Sequence, residues 1–182
     1  LTHEIRTGDF DLSVRTGTLA LGEGLSGFVL GTGVPGEDAR RRALLGSASG
    51  VGGGLIAYVD HNGAVGFRDH TPEGAQLNWP AMSATASGTG SPRSLDEDLT
   101  LAVTCRTVNE TTVSLRVAVR RTSDDTELTS ATIAALPLTR VRGGIALMSS
   151  SRQGSKSRYW VTGLSATGSG LTVIPERALG PV

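Results

Sequence analysis

LTLAVTCRTVNETTVSLRVAVRR, residues 99–121, carries apolar and polar side chains in strict turn through two runs. Leu99, Leu101, Val103 and Cys105 share one parity, and Val113, Leu115, Val117 and Val119 continue it. Thr100, Thr104, Arg106, Ser114, Arg116 and Arg120 take the other. Successive side chains of an extended chain point to opposite faces, so the pattern predicts two half-buried strands, each with one apolar face. Cross-strand partners share a face. Two odd-numbered sets therefore pair only across an odd-numbered connection such as Val108-Asn109-Glu110, whereas a two-residue turn brings Cys105 opposite Ser114.

The same alternation extends in both directions. Phe10, Leu12 and Val14 alternate with Asp9, Asp11, Ser13 and Arg15, and further strands are expected at 26–30 (SGFVL), 55–60, 64–68, 127–135, 141–148 and 157–167. Ser123-Asp124-Asp125 and the GSK stretch at 154–156 read as turns between them. Strands at this spacing with so little helix predict an all-β fold, a two-sheet antiparallel β-sandwich of the jelly-roll kind. Residues 37–45 (EDARRRALL) are the one helix-like piece and too short to stand without packing. Segments 46–54 and 83–91 are too rich in glycine and serine to pack. No internal repeat is visible.

A chain of 182 residues fits one domain, read as 1–174, with 175–182 as a linker toward a downstream domain. The 25 glycines and only 4% aromatic residues suit many turns and few bulky anchors. Seventeen basic side chains balance seventeen acidic ones, so no overall positive field attracts nucleic acid or an anionic membrane. Cys105 is the single cysteine, which excludes an internal disulfide. No apolar run of bilayer-spanning length occurs, and LTHEIR at the start lacks the basic-then-apolar layout of a secretory signal.

AYVDHNGAVGFRDH, residues 57–70, holds two Asp-His pairs. Asn62-Gly63 predicts a type I′ turn, which sets Asp60 opposite Val65, Tyr58 opposite Phe67 and Ile56 opposite Asp69. The two aspartates are then four levels apart, roughly 13 Å, too far to share a metal ion. Asp60 and Asn62, with His61, remain a lone oxygen-rich loop for calcium, weighed against a solvated turn. GTGVPG at 31–36 matches a phosphate-loop spacing, but Pro35 removes an N–H donor and no βαβ unit surrounds it. Cys105 lies on an apolar strand face, which argues against a nucleophile. Asp9 with Asp11, and Asp96-Glu97-Asp98, are the nearest approaches to a glycosidase acid pair, and both read as solvated charge. Trp79, in QLNWP at 76–80, is the candidate for stacking on a sugar ring, weighed against a residue that simply caps the core, with Asn78 beside it and Tyr58 and Arg68 on the hairpin completing the ligand-binding candidates. Trp160 is expected to pack inside.

The order of GGLIAYVD (53–60), LTLAVT (99–104), RGGIAL (142–147) and RYWVTGL (158–164) resembles the concanavalin A-like lectin/glucanase superfamily, including its laminin G-like branches. More narrowly, RRALL (41–45), Tyr159-Trp160 and PERALGP (175–181) resemble the lectin-like domain that precedes the catalytic domain in bacterial alkaline phosphatase D-type metallophosphatases. That likeness implies a non-catalytic carbohydrate-binding or domain-packing module of a secreted enzyme, extracellular or periplasmic, with no cofactor of its own beyond a calcium ion in some members. It places the metal chemistry in a downstream domain, since His3, His61 and His70 form no metal-site grouping here. Ligand is expected on the concave face or on rim loops near 60–70 and 76–91. The rival expectation is a glycoside hydrolase or polysaccharide lyase of the same fold, and a third is a purely structural interaction domain.

Overall fold

The structure, a computed structural model, describes residues 3–32, 54–69, 92–151 and 154–173. These residues form two antiparallel sheets packed face to face. The six-stranded sheet runs in the order β11 (Leu171–Val173), β1 (His3–Ile5), β9 (Gly143–Ser151), β3 (Gly24–Thr32), β4 (Leu55–Asp60) and β5 (Val65–Asp69). The five-stranded sheet runs β10 (Arg158–Thr167), β2 (Phe10–Ala20), β6 (Leu99–Asn109), β7 (Thr112–Arg121) and β8 (Glu127–Pro137). The predicted all-β two-sheet sandwich is the fold observed. Residues 37–45, 46–53 and 83–91, His70 and the linker from 175 on lie outside the described residues.

Alternation builds the core directly. Phe10, Leu12, Val14, Leu101, Val103, Cys105, Leu115, Val117 and Ile133 of one sheet meet Ile5, Phe28, Leu30, Leu55, Val59 and Ile145 of the other, all buried. Each large apolar side chain so enclosed contributes about 1.5–3 kcal/mol relative to exposure. A one-residue slip in any strand would turn that whole set to water, which is why parity dictates register.

The β6–β7 hairpin keeps the expected parity by a different device. Cys105 pairs with Leu115, Val103 with Val117 and Leu101 with Val119. The connection is a two-residue turn, with Asn109 paired to Thr112, and Val108 is an extra residue bulged out between Thr107 and Asn109. The bulge restores the parity that a two-residue turn alone would break. A three-residue loop at 108–110 would instead have set Cys105 opposite Val113. The Asn109 Oδ1 accepts from the Thr111 amide (3.0 Å) and hydroxyl (3.2 Å), which holds the turn closed.

The β4–β5 register differs from the type I′ expectation by one step: Ala57 pairs with Phe67, Tyr58 with Gly66 and Leu55 with Asp69. His61, Asn62 and Gly63 form a three-residue loop in which Gly63 takes φ +74°, closed by Asp60 N–H to Ala64 O at 2.9 Å and Gly63 N–H to Asp60 O at 3.0 Å. Packing explains the change. Phe67 is a core residue, and only this register puts it on the inward face with Ala57 instead of opposite outward-facing Tyr58.

Candidate functional site

Two features of the described residues can engage a ligand, and both sit around the strand pair β2–β10. The first is the outward face of the five-stranded sheet. Trp160 pairs with Gly17 on that face, opposite the parity of Tyr159, whose partner Thr18 points inward and is buried. A Cβ on residue 17 would overlap the indole Nε1 and Cε2, so glycine is what lets the ring sit down over the strand. The ring stays partly exposed. The expectation that Trp160 packs inside is therefore corrected, because the pairing of β10 with β2 assigns it the outer parity.

Beside the indole, short side chains run in register across all five strands, from Ser165 through Ser13, Ala102 and Ala118 to Ser130. The adjoining rows carry longer ones: Arg15, Thr100 and Arg120 on one side, Asp11, Thr104 and Arg116 on the other. The row is open at Ser165, Ser13 and Ala102, where it forms a shallow trough between the longer side chains, and is covered at buried Ala118 and Ser130. Its walls are charge-paired. Arg15 binds both carboxylate oxygens of Asp98, through Nε at 3.2 Å and through Nη2, and Arg106 Nη2 donates to both oxygens of Asp11 at 2.9 Å. Glu127 takes Arg116 from one wall and Arg120 from the other, joining the two walls at one end. Hydrogen bonds from these arginines hold the Asp98 and Glu127 carboxyls below the ordinary carboxylate range.

The second feature lies at one end of the sandwich, where the interior turns polar with buried Thr16, Thr18, Ser26 and Ser157. Arg93 enters this region with only 2% of its side chain exposed, and Glu97 follows at 10%. Arg93 Nε donates to Glu97 Oε1, and Nη1 donates to Ser26 Oγ of the six-stranded sheet at 3.2 Å. Glu97 accepts in addition from Thr18 Oγ1 of the five-stranded sheet at 2.7 Å and from the Ser94 amide at 3.2 Å. One ion pair thus ties the two sheets together. The Arg93 guanidinium also stands 4.8 Å from the centroid of the Tyr159 ring, a cation–π contact. The Arg93 amide donates to His61 O at 3.1 Å, which fixes the loop against the β4–β5 turn.

A cavity of about 370 Å³ opens here, lined by Thr18, Leu21, Glu23, His61, Asn62, Pro92, Arg93 and Tyr159. Arg93 Nη2 is buried without a hydrogen-bond partner among the described residues, and Tyr159 Oη is buried against the Ser157 side chain. Burial pushes the Tyr159 phenol up, Ser157 and Arg93 partly offset this, and Asp60 and Glu97 add to it.

The remaining candidates fall elsewhere. Tyr58 lies over Gly66 on the outward face of the six-stranded sheet, with the Arg68 guanidinium 5.2 Å from its ring centroid. Asp60 Oδ1 accepts from the Asn62 and Ala64 amides at 2.8 and 3.0 Å, which closes the turn that Asp60 and Asn62 share. No group of three or more His, Cys, Asp or Glu side chains with metal-site geometry occurs among the described residues. Trp79 and Asn78 lie outside them. Asp9 caps the start of β2 and accepts from the Thr107 amide and hydroxyl, while Asp11 and Asp98 are spent on arginines. Glu97, read from sequence as solvated, is largely enclosed, with 10% of its side chain exposed. Arg93 was not anticipated at all; its only trace in sequence is the Arg-x-x-x-Glu spacing inside a Pro/Ser loop. Only Gly31 and Thr32 of the GTGVPG stretch are described, at the end of β3. No family model, curated protein or solved structure matches the chain, so its assignment rests on this geometry.

Proposed function

We propose that the chain is a non-catalytic carbohydrate-binding module of the kind carried as an accessory by secreted bacterial enzymes, and that the glycan lies on the outward face of the five-stranded sheet. The single observation that carries this is Trp160 seated over Gly17 beside an open stretch floored by Ser165, Ser13 and Ala102. An indole offers a flat apolar surface to the C–H face of a pyranose, and fork-paired Arg–Asp groups offer fixed donors and acceptors to its hydroxyls. Trp160 takes the role expected of Trp79. The walls of the trough are charge-balanced, which suits a neutral polyol and gives an anionic polymer no net attraction.

Hydrolysis of the glycan is the less favoured reading. A glycosidase needs one carboxyl kept protonated near neutral pH, and Asp98 and Glu127 are shifted in the opposite direction by their arginines. The proposal is tested by screening the chain on a glycan array and following each hit by affinity electrophoresis through gels containing the matching soluble polysaccharide. Retardation of the wild-type chain that is lost in Trp160→Ala supports it. Retardation unchanged in Trp160→Ala, or reducing-sugar release from the polysaccharide, overturns it.

A further inference from the structure

The row of short side chains on the outward face of the five-stranded sheet does not keep one depth. Ser165 of β10 is exposed, Ser13 of β2 and Ala102 of β6 are half-buried, and Ala118 of β7 and Ser130 of β8 keep only 2% and 4% of their surface. Alternation puts all five on the same face, so their unequal burial comes from what lies above them. Ala118 stands between Arg116 and Arg120 along β7, and Ser130 is its partner on β8. Glu127 meets both arginines, Arg116 Nη2 at Oε1 and Arg120 Nη2 at Oε2, and accepts from Ser130 as well. The side chains of Arg116, Glu127 and Arg120 therefore arch over the last two positions of the row and join its walls. Asp125 steadies one foot of the arch by accepting from Arg120 Nη1 at 3.3 and 3.2 Å, and Arg120 Nε is shut off from solvent.

A floor open over three strands and covered over the next two has one way in. The open part begins on β10, the outermost strand, which also carries Trp160, and it ends at Ala102. Three strands span two spacings of about 4.8 Å, so the open floor is about 10 Å long, and beyond it the arch raises the surface by the height of its side chains. A sugar chain laid across the strands meets that step after roughly two pyranose rings. An internal stretch of a long chain needs a path open at both ends. A chain end needs only one. Two arginines meet two carboxylates in the arch, so a terminal sugar faces fixed hydrogen-bonding groups there without net charge.

We infer that this face takes the end of a neutral oligosaccharide chain, about two units deep, and that the Arg116–Glu127–Arg120 arch is the element that turns internal chain segments away. The inference rests on the glycan reading above and adds to it the part of a polymer that is bound.

The test is an amide ¹⁵N–¹H NMR titration of the whole chain with cello-, laminari-, malto- and manno-oligosaccharides of two to six units. In a series that binds, shifts at Ser13, Ala102 and Ser165 should saturate, with a dissociation constant that changes less than about twofold from the tri- to the hexasaccharide. In the polysaccharide gels, retardation at a fixed mass of polymer should rise as the polymer is cut shorter, because the number of ends rises. Glu127→Ala removes the middle of the arch, and in that variant the hexasaccharide should bind about tenfold tighter than the disaccharide. Arg116→Ala removes one foot and should move the length profile in the same direction, so the outcome does not hang on one variant folding. A wild-type affinity that climbs more than about fivefold from the tri- to the hexasaccharide, or a length profile unchanged in both variants, overturns this inference and leaves the glycan reading intact, since binding on this face is then demonstrated. Absence of saturable shifts from all four series overturns it too, and the glycan reading then stands or falls on the array and on Trp160→Ala.

Discussion

Removing Glu97 exposes the energetics of the inter-sheet clasp. The Arg93 guanidinium is almost fully enclosed, and among the described residues it meets opposite charge through its Nε bond to Glu97. Glu97→Ala leaves that cation buried and unpaired and strips the acceptor from Thr18 Oγ1 and the Ser94 amide. Breaking a buried pair by deleting one partner costs about 3–5 kcal/mol. For a chain of this size, at roughly 2–4 °C per kcal/mol, the melting temperature should fall by about 6–20 °C. Equilibrium urea unfolding monitored by circular dichroism measures the free energy directly. Glu97→Gln keeps an acceptor of the same shape and should lose only part of it. In Arg93→Met/Glu97→Leu no unpaired charge remains, so the double variant should be more stable than Glu97→Ala alone. A Glu97→Ala chain within about 1 kcal/mol of wild type, or a double variant as unstable as the two single losses added, would refute the reasoning.

Three further outcomes follow from particular residues. Gly17→Ala should destabilise the chain by about 1–3 kcal/mol and shift its tryptophan emission, because the new Cβ meets the indole and lies 2.6 Å from the Glu97 carbonyl oxygen; unchanged emission would contradict the placement of Trp160. Cys105 is fully buried with its thiol pushed up to about 12, so Ellman's reagent at pH 8 should label it only on unfolding, and prompt labelling of the folded chain would count against the β6 face assignment. Asp9, Asp98, Asp124 and Glu127 all have carboxyls held low, chiefly by hydrogen bonds from Thr107, Arg15, Thr126 and Arg116 respectively. Their contribution is present above the ordinary carboxylate range and is lost as pH falls through the folded-state values, so the urea midpoint should hold from pH 7 to about 5 and drop below about 4. A midpoint that rises on acidification would reverse that sign.

Much of the fold was legible because parity is a local property. Cys105, Leu115 and Val117 announce an inward face without reference to anything distant, and the sandwich follows from repeating that face along the chain. Turn type was less legible. Asn62-Gly63 favours type I′ locally, but the demand that Phe67 reach the core moved the register by one. Val108, too, gives no local sign of bulging. The site was the least legible part, since Arg93, Glu97, Thr18 and Ser26 are brought together by the stacking of two sheets and no spacing in the chain records that. Trp160 was misjudged for the same reason: its face depends on which residue of β2 it pairs with, and that partner is more than a hundred positions away.

The account's central claim is that Trp160 presents its ring outward to a glycan. The indole N–H signals in a ¹⁵N–¹H spectrum test it most directly, with Trp160→Phe identifying which of the two tryptophan resonances belongs to residue 160. On titration with an oligosaccharide drawn from the array hits, the Trp160 signal should move saturably together with the amides of Ser13, Arg15 and Thr162. A Trp160 signal that stays fixed while the oligosaccharide demonstrably binds would contradict it.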